Sequence, residues 1–314
     1  MGGVNTSFTS NDVGLAFNDP ALLTTKMHSQ MNAVFNSFYG GFKAVHLSIG
    51  YRSQPLNTNF LWGIHYLNYG NVTQTDAAGN IFGNFRATDW VMQVSASRQY
   101  MSKWHYGATL KFINSTYGSY HSNGMAMDAG VLYKDSVHQF SAGLLAKNMG
   151  FQLKKYEGSS AEDLPFDVQI GISKRLEKAP FGFTISVHHL HQFDIRYNDT
   201  VFNNENVFNQ NKKTGSFTLD KFFRHFVAAT HIYIGDHVEA TVGYNHLRRQ
   251  ELNIGNASNG LNGFSMGMDV MLNKLQFHYA RAWYQNNSAY NQFGLNMKLD
   301  EFFGLGKLGA QVGW

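Results

Sequence analysis

The sequence predicts an all-β fold: one 14-stranded antiparallel transmembrane β-barrel. Two observations carry the prediction. About fourteen stretches of roughly ten residues alternate apolar and polar side chains, and the connections between them alternate short and long. Successive side chains of a strand point to opposite faces, so bulky groups on one face would meet lipid while small and polar groups line a lumen. Composition is the third observation. Four prolines against 31 glycines suit a chain of central strands and tight turns. Aromatics stand at 15%, and charged residues at 15% fall below the roughly 25% of soluble domains.

The same composition bounds other classes. No run approaches the roughly 18 apolar residues of a membrane helix, a test that barrel strands escape because half of each faces water. The net charge of +4 is scattered in pairs such as Lys154-Lys155, Lys212-Lys213 and Arg248-Arg249, which is no nucleic-acid footprint. The absence of cysteine agrees with an exported chain. Met1-Gly2-Gly3 runs into polar residues rather than a signal peptide, so a mature or trimmed form is expected.

In chain order, strands are predicted at 29–39, 41–52, 58–70, 87–99, 104–116, 123–134, 137–147, 165–176, 180–193, 221–234, 237–248, 260–272, 274–285 and 290–299. In the third, Phe60, Trp62, Ile64 and Tyr66 share one face, and Leu61, Gly63, His65 and Leu67 the other. In the fifth, Trp104, Tyr106, Ala108, Leu110 and Phe112 oppose His105, Gly107, Thr109 and Lys111. The sixth sets Met125, Met127, Ala129, Val131 and Tyr133 against Ala126, Asp128 and Gly130. The eighth sets Phe166, Val168, Ile170 and Ile172 against Asp167, Gln169, Gly171 and Ser173. The eleventh sets Val238, Ala240, Val242 and Tyr244 against Glu239, Thr241, Gly243 and Asn245. Charged groups thus fall on the second face, as a lumen requires.

Met101-Ser102-Lys103, Lys134 to Ser136, Lys178 to Pro180, Gly235-Asp236-His237 and Asn273-Lys274 read as tight turns. Between them lie 71–86, 117–122, 148–164, 194–220, 249–259 and 286–289, mostly longer and rich in Asn, Gly and Ser. Short turns mark the periplasmic side of such barrels and long loops the outer side, so an even strand number leaves both termini periplasmic. Trp62, Tyr66, Tyr69, Trp90, Trp104, Tyr133, Tyr233, Tyr244, Trp283 and Tyr284 crowd toward strand ends, where interfacial belts favour amphipathic rings.

Residues 1–28 lack sustained alternation and precede the first strand. A barrel of this width is not filled by its own side chains, so a plug is expected, with turn residues Asn18, Asp19 and Pro20. Residues 29–299 would form the barrel. Strand-like alternation recurs at 292–299 and 307–314; placing the last strand at 290–299 leaves 300–314 as a periplasmic tail.

Several motifs, in order, carry a resemblance. Gly2-Gly3-Val4-Asn5, Asp12-Val13-Gly14-Leu15-Ala16 and Pro20-Ala21-Leu22-Leu23 resemble the start of FadL-type barrels, whose hatch carries Asn-Pro-Ala; here Asp19 takes the Asn place. Leu164-Pro165-Phe166-Asp167-Val168-Gln169, Ser173-Lys174-Arg175-Leu176-Glu177, Ala179-Pro180-Phe181 and His188-His189-Leu190 are similar to the PorQ-type barrels of the Bacteroidetes type IX secretion system. So are Gly243-Tyr244-Asn245-His246-Leu247-Arg248-Arg249 and Tyr279-Ala280-Arg281. This resemblance implies a FadL-like fold and a non-enzymatic anchor in the attachment complex. Such an anchor holds a PorZ-like surface protein beside the sortase PorU and the barrel PorV, and the complex links cargo to anionic lipopolysaccharide. The alternative is a FadL-like transporter of a small hydrophobic molecule.

Candidate chemistry is sparse. His189 and His191 would share one face of the ninth strand with His188 opposite, a spacing that still lacks a third ligand, so no metal is expected. His188, His189 and Asp194 sit near the outer rim, but no Gly-x-Ser-x-Gly and no cysteine marks a nucleophile, so no catalytic residue and no cofactor are expected. Loop 194–220 interleaves Tyr197, Phe202 and Phe208 with Asn198, Asp199, Asn203, Asn204, Glu205, Asn206, Asn209 and Asn211, without EF-hand spacing. Exposed aromatics with adaptable amides suit protein docking. Arg248 and Arg249 are expected at the outer end of the eleventh strand, where they could pair with an acidic partner or a lipopolysaccharide phosphate.

Overall fold

A computed structural model describes residues 1–38, 41–196, 219–252, 260–285 and 288–302. The fourteen strands are β1 (Gln30–Ser37), β2 (Lys43–Ser53), β3 (Thr58–Thr75), β4 (Ile81–Tyr100), β5 (Trp104–Tyr117), β6 (Tyr120–Asp135), β7 (Phe140–Lys154), β8 (Asp167–Arg175), β9 (Phe181–Val187), β10 (Phe226–Ile234), β11 (Val238–Asn245), β12 (Phe264–Met271), β13 (Leu275–Gln285) and β14 (Ser288–Lys298). Each pairs antiparallel with its neighbours in sequence, and β1 pairs with β14 from Gln30↔Lys298 to Ser37↔Asn291, which closes the barrel. Closure removes the unpaired edges that an open sheet would present.

The alternation sorts as the sequence predicts. In β5, Trp104, Tyr106, Leu110 and Phe112 are exposed on the outside while His105, Thr109 and Lys111 are buried. In β8, Ile170 and Ile172 face out while Gln169 and Ser173 face in. A water-facing surface would not carry this many large apolar groups; a lipid-facing one requires them. Aromatic pairs stand near both ends of the wall: Trp104 against Tyr133 by the short turns, and Tyr69, Tyr117 and Tyr156 in sequence by the long loops.

Several strands depart from the predicted boundaries, β7 among them, which runs on to Lys154 rather than ending near 147. β3 and β4 continue through most of the predicted 71–86 loop, with register shifts between Asn68/Asn71 and Gln74/Thr75. Pairs such as Thr73↔Asn84 keep the hydrogen-bond ladder after the apolar face has ended, so periodicity cannot reveal them. β9 stops at Val187 rather than near 193, because His189 takes a left-handed φ of 55° and its N–H is captured by the Asp167 carboxylate at 2.5 Å. Residues Leu219–Phe223 and His246–Glu251 form short helices in place of the predicted strand ends. The second is capped by Asn245, whose side chain accepts from the Arg248 N–H at 2.9 Å. Arg248 and Arg249 therefore stand on a rim helix and not on β11.

Apolar packing inside the barrel belongs to the amino-terminal segment. Val13, Ala16, Leu23 and Met27 pack with Leu61, with Phe17 at their edge, and Ala21 and Leu22 pack with Leu132 and Leu15. Leu61 and Leu132, like Leu145 and Val227, are buried apolar positions of a wall whose other inward side chains are largely polar.

Candidate functional site

The amino-terminal segment is built from short turns that satisfy their own backbone and then bond to the wall. Asp12 caps the turn Val13–Ala16 by accepting from the Gly14 N–H at 2.7 Å. Asp19 caps Pro20–Leu22 by accepting from the Ala21 N–H at 2.9 Å. A carboxylate oxygen thus does the capping that an Asn oxygen would do at this place. Asn18 accepts from the Lys147 ammonium at 3.2 Å, and Pro20 is buried. The wall reaches back: Gln93 donates to the Phe17 carbonyl at 3.0 Å, Ser97 to the Leu23 carbonyl at 2.8 Å and Ser141 to the Ser7 carbonyl at 2.8 Å. Inward glycines leave the room. A Cβ on Gly107 would lie 2.7 Å from the Pro20 carbonyl oxygen, and Cβ atoms on Gly130 and Gly143 would collide with Asp19 and Thr6.

Several charged groups around this segment are paired. Lys111 meets Asp128 at 2.5 Å and donates to Asn148 at 3.0 Å. His231 bonds Glu239 at 2.8 Å and stacks on Phe8 with ring centroids 4.1 Å apart. His278 bonds Asp269 at 2.5 Å, and Asn296 donates to Asp12 at 2.6 Å.

Beside the segment an internal cavity of about 520 Å³ remains, lined in part by Phe17, His46, His65, Glu239 and Asp269. Behind its wall, on the outer surface, lies an apolar groove of about 430 Å³ bordered by Phe35, Val45, Met268, Phe277, Phe293 and Leu295. Val34, His278 and Tyr279 line both spaces. Gly294, which also borders the groove, contributes no side chain to the wall between them, and a Cβ there would meet Val34 and the His278 Cβ at 3.2–3.3 Å.

At the long-loop rim, Tyr197, Phe202 and Phe208 lie outside the described residues. Arg248 stacks over the Tyr284 ring at 4.2 Å, and Arg249 donates to the Gly260 and Asn262 carbonyls at 2.7 and 3.2 Å. Both arginines thus hold the rim together. Asp194 accepts from Arg196 and meets the Lys221 ammonium at 3.0 Å, and these contacts, Arg196 first, hold its carboxyl well below the usual range.

The rim histidines are arranged otherwise than a strand of 180–193 implies. The left-handed turn at His189 brings its Nδ1 to 2.6 Å from the His188 Nδ1, so the two rings share one side. His191 packs against the Phe166 ring at 4.9 Å, with its own ring centroid 5.9 Å from that of His189. Burial, with help from neighbouring His189, pushes the His188 imidazole down to about 4, and burial also lowers His189. His225 fixes the place of His188: its carbonyl accepts from the His188 N–H at 3.0 Å, and its Nδ1 stands 2.7 Å from the His188 carbonyl. Asp167 completes the cluster. Sequence reasoning counted it as an ordinary lumen position, since nothing local links residue 167 to residue 188.

No family model and no curated protein matches this chain. Among solved structures, the toluene transporter TodX of Pseudomonas putida is similar at 10% identity, covering 94% of each chain with a TM-score of 0.52. The monoaromatic hydrocarbon channel CymD is similar at 13% identity, covering 95% of this chain and 94% of its own, with a TM-score of 0.54. The chain therefore has the FadL-like fold, a closed 14-stranded antiparallel barrel.

Proposed function

We propose that this chain is a non-enzymatic integral barrel of the outer membrane that passes a small, largely apolar molecule. The observation that carries this reading is the pair of back-to-back spaces at Gly294. A cavity beside the amino-terminal segment and an apolar groove on the lipid face share Val34, His278 and Tyr279 as lining, and Gly294 at the groove adds no side chain to the wall. Residues 1–28 act as the plug that denies a water-filled path, so a solute leaves the lumen sideways into lipid. Both termini are then periplasmic. Similarity to a toluene transporter and a monoaromatic hydrocarbon channel supports a solute of that chemical class. The experiment is binding and uptake of a monoaromatic hydrocarbon by vesicles carrying the purified barrel, compared with Gly294→Trp. Transport by the wild type that falls at least tenfold in the variant is expected; equal flux in both would end this reading.

A second reading keeps the barrel as the anchor of a PorZ-like surface protein, with PorU and PorV in one complex and lipopolysaccharide beside it. One observation favours it. β4 has 20 residues against 9 in β8, roughly 35 Å more strand, and the β3–β4 hairpin carries exposed Ile81 and Phe82 at its tip. An apolar tip beyond the strand ends suits a protein partner. Purification from solubilised outer membranes separates the two: a large surface protein that co-purifies, and is lost on Ile81→Asp/Phe82→Asp, supports the anchor. A co-purifying apolar small molecule with no protein supports transport.

A further inference from the structure

We propose that Asp167, His188 and His189 form a binding site for a zinc-like divalent transition-metal cation at the long-loop rim. One ligand atom from each lies within 4.8 Å of the others. The two Nδ1 atoms are 2.6 Å apart, and the His189 Nδ1 is 3.8 Å from the Asp167 Oδ1. Metal–nitrogen and metal–oxygen bonds of about 2.0–2.2 Å at tetrahedral angles place ligand atoms about 3.3 Å apart. Both separations reach that value by shifts of about half an ångström or a little more, within reach of small χ rotations. Two imidazoles and a carboxylate are the donor set of open tetrahedral sites, with the fourth position left for water or a solvent-side ligand.

The surroundings are those of a built site rather than a chance meeting of side chains. His189 is held in the left-handed region, a conformation uncommon for a residue with a Cβ, and that turn aims its ring at His188. Asp167 is oriented twice, by the His189 N–H at 2.5 Å and by the Gln169 amide at 2.6 Å. These bonds leave lone pairs on the carboxylate, as ligating carboxylates with outer-shell partners do. His188 is anchored by His225 through its backbone, donating its N–H to the His225 carbonyl at 3.0 Å, while its carbonyl lies 2.7 Å from the His225 Nδ1. His188 is buried and His189 is half-exposed, so an ion has an entry from the rim. The ion would tie the start of β8 to the end of β9 at the base of the long connection that follows. This inference stands whether the barrel transports or anchors.

The test uses the full chain in detergent, prepared without a histidine tag and stripped with a chelator. One Zn²⁺ per chain is expected by equilibrium dialysis, with Co²⁺ giving the intense visible bands of a tetrahedral site. His188→Ala and Asp167→Asn should each weaken Zn²⁺ binding at least tenfold and abolish those bands. His191→Ala, which removes a nearby histidine outside the cluster, should leave both unchanged. Heat-modifiable migration checks that each variant is still a folded barrel. No bound Zn²⁺ in the wild type, or binding that survives in folded His188→Ala/Asp167→Asn, overturns the site.

Discussion

Asp19 and Lys111 show how single residues set the interior. Asp19 is fully buried and spends one oxygen on the cap of Pro20–Leu22 against Gly130. Asp19→Ala should lower stability by about 1 kcal/mol through the lost cap, read from denaturant unfolding in detergent. Asp19→Asn, which keeps the oxygen, should stay within a few tenths of the wild type. Lys111 and Asp128 are both buried and paired at 2.5 Å. Lys111→Met leaves a buried carboxylate uncompensated and should cost about 3 kcal/mol; a change below 1 kcal/mol would mean that water already solvates the pair. Asp194 at the rim behaves differently with pH. Its carboxyl is held low by Arg196 and then Lys221, so its contribution is present above the unfolded carboxylate value of about 3.9. That contribution disappears as the pH falls through the lower native value. The group is solvent-accessible, so the expected signal is local: faster proteolysis near 194–196 only in strong acid, and no such step in Asp194→Asn.

Among the elements, the segment before β1 is the one proposed to close the barrel. Deleting residues 2–28 removes Phe17, Leu23 and their wall contacts and should raise single-channel conductance severalfold in planar bilayers. A large steady conductance with the segment in place would refute the plug. The strands themselves were legible in the sequence. Period two and the loop alternation place all fourteen, because a lipid-facing row and a luminal row differ at every step of strands such as β5 and β8. Their ends were less legible. β3 and β4 outlast their apolar face, and β9 and β11 end where a side chain, Asp167 or Asn245, captures a backbone N–H. Such captures depend on a residue being brought close by the fold, and for Asp167 and His189 the partner is 22 positions away. The inward glycines show the same limit. Gly107 and Gly130 read as small lumen positions, yet the structure makes them seats for Pro20 and Asp19, and Gly143 seats Thr6 in the same way.

At the scale of the whole molecule, stability and orientation in lipid depend on the wall being one continuous ring. The outward rows and the closed ladder are coupled: a barrel that opened between β1 and β14 would expose two rows of unpaired backbone groups to hydrocarbon, each costing several kcal/mol. Closure is therefore testable through the seam. Ala33 of β1 lies opposite Leu295 of β14, and the chain contains no cysteine of its own. Cross-strand Cβ atoms in register are about 4.5–5.5 Å apart, within span of a short bis-thiol reagent. Ala33→Cys/Leu295→Cys should therefore cross-link within one chain in detergent and in bilayers. The product should keep its heat-modifiable mobility until the barrel is unfolded. Ala33→Cys/Met266→Cys is the control, since Met266 lies on β12, two strands beyond the seam, and it should not react with the same reagent. In an open sheet β1 and β14 would be opposite edges, and neither pair would cross-link. Efficient reaction of the seam pair alone is the outcome that a closed 14-stranded wall requires.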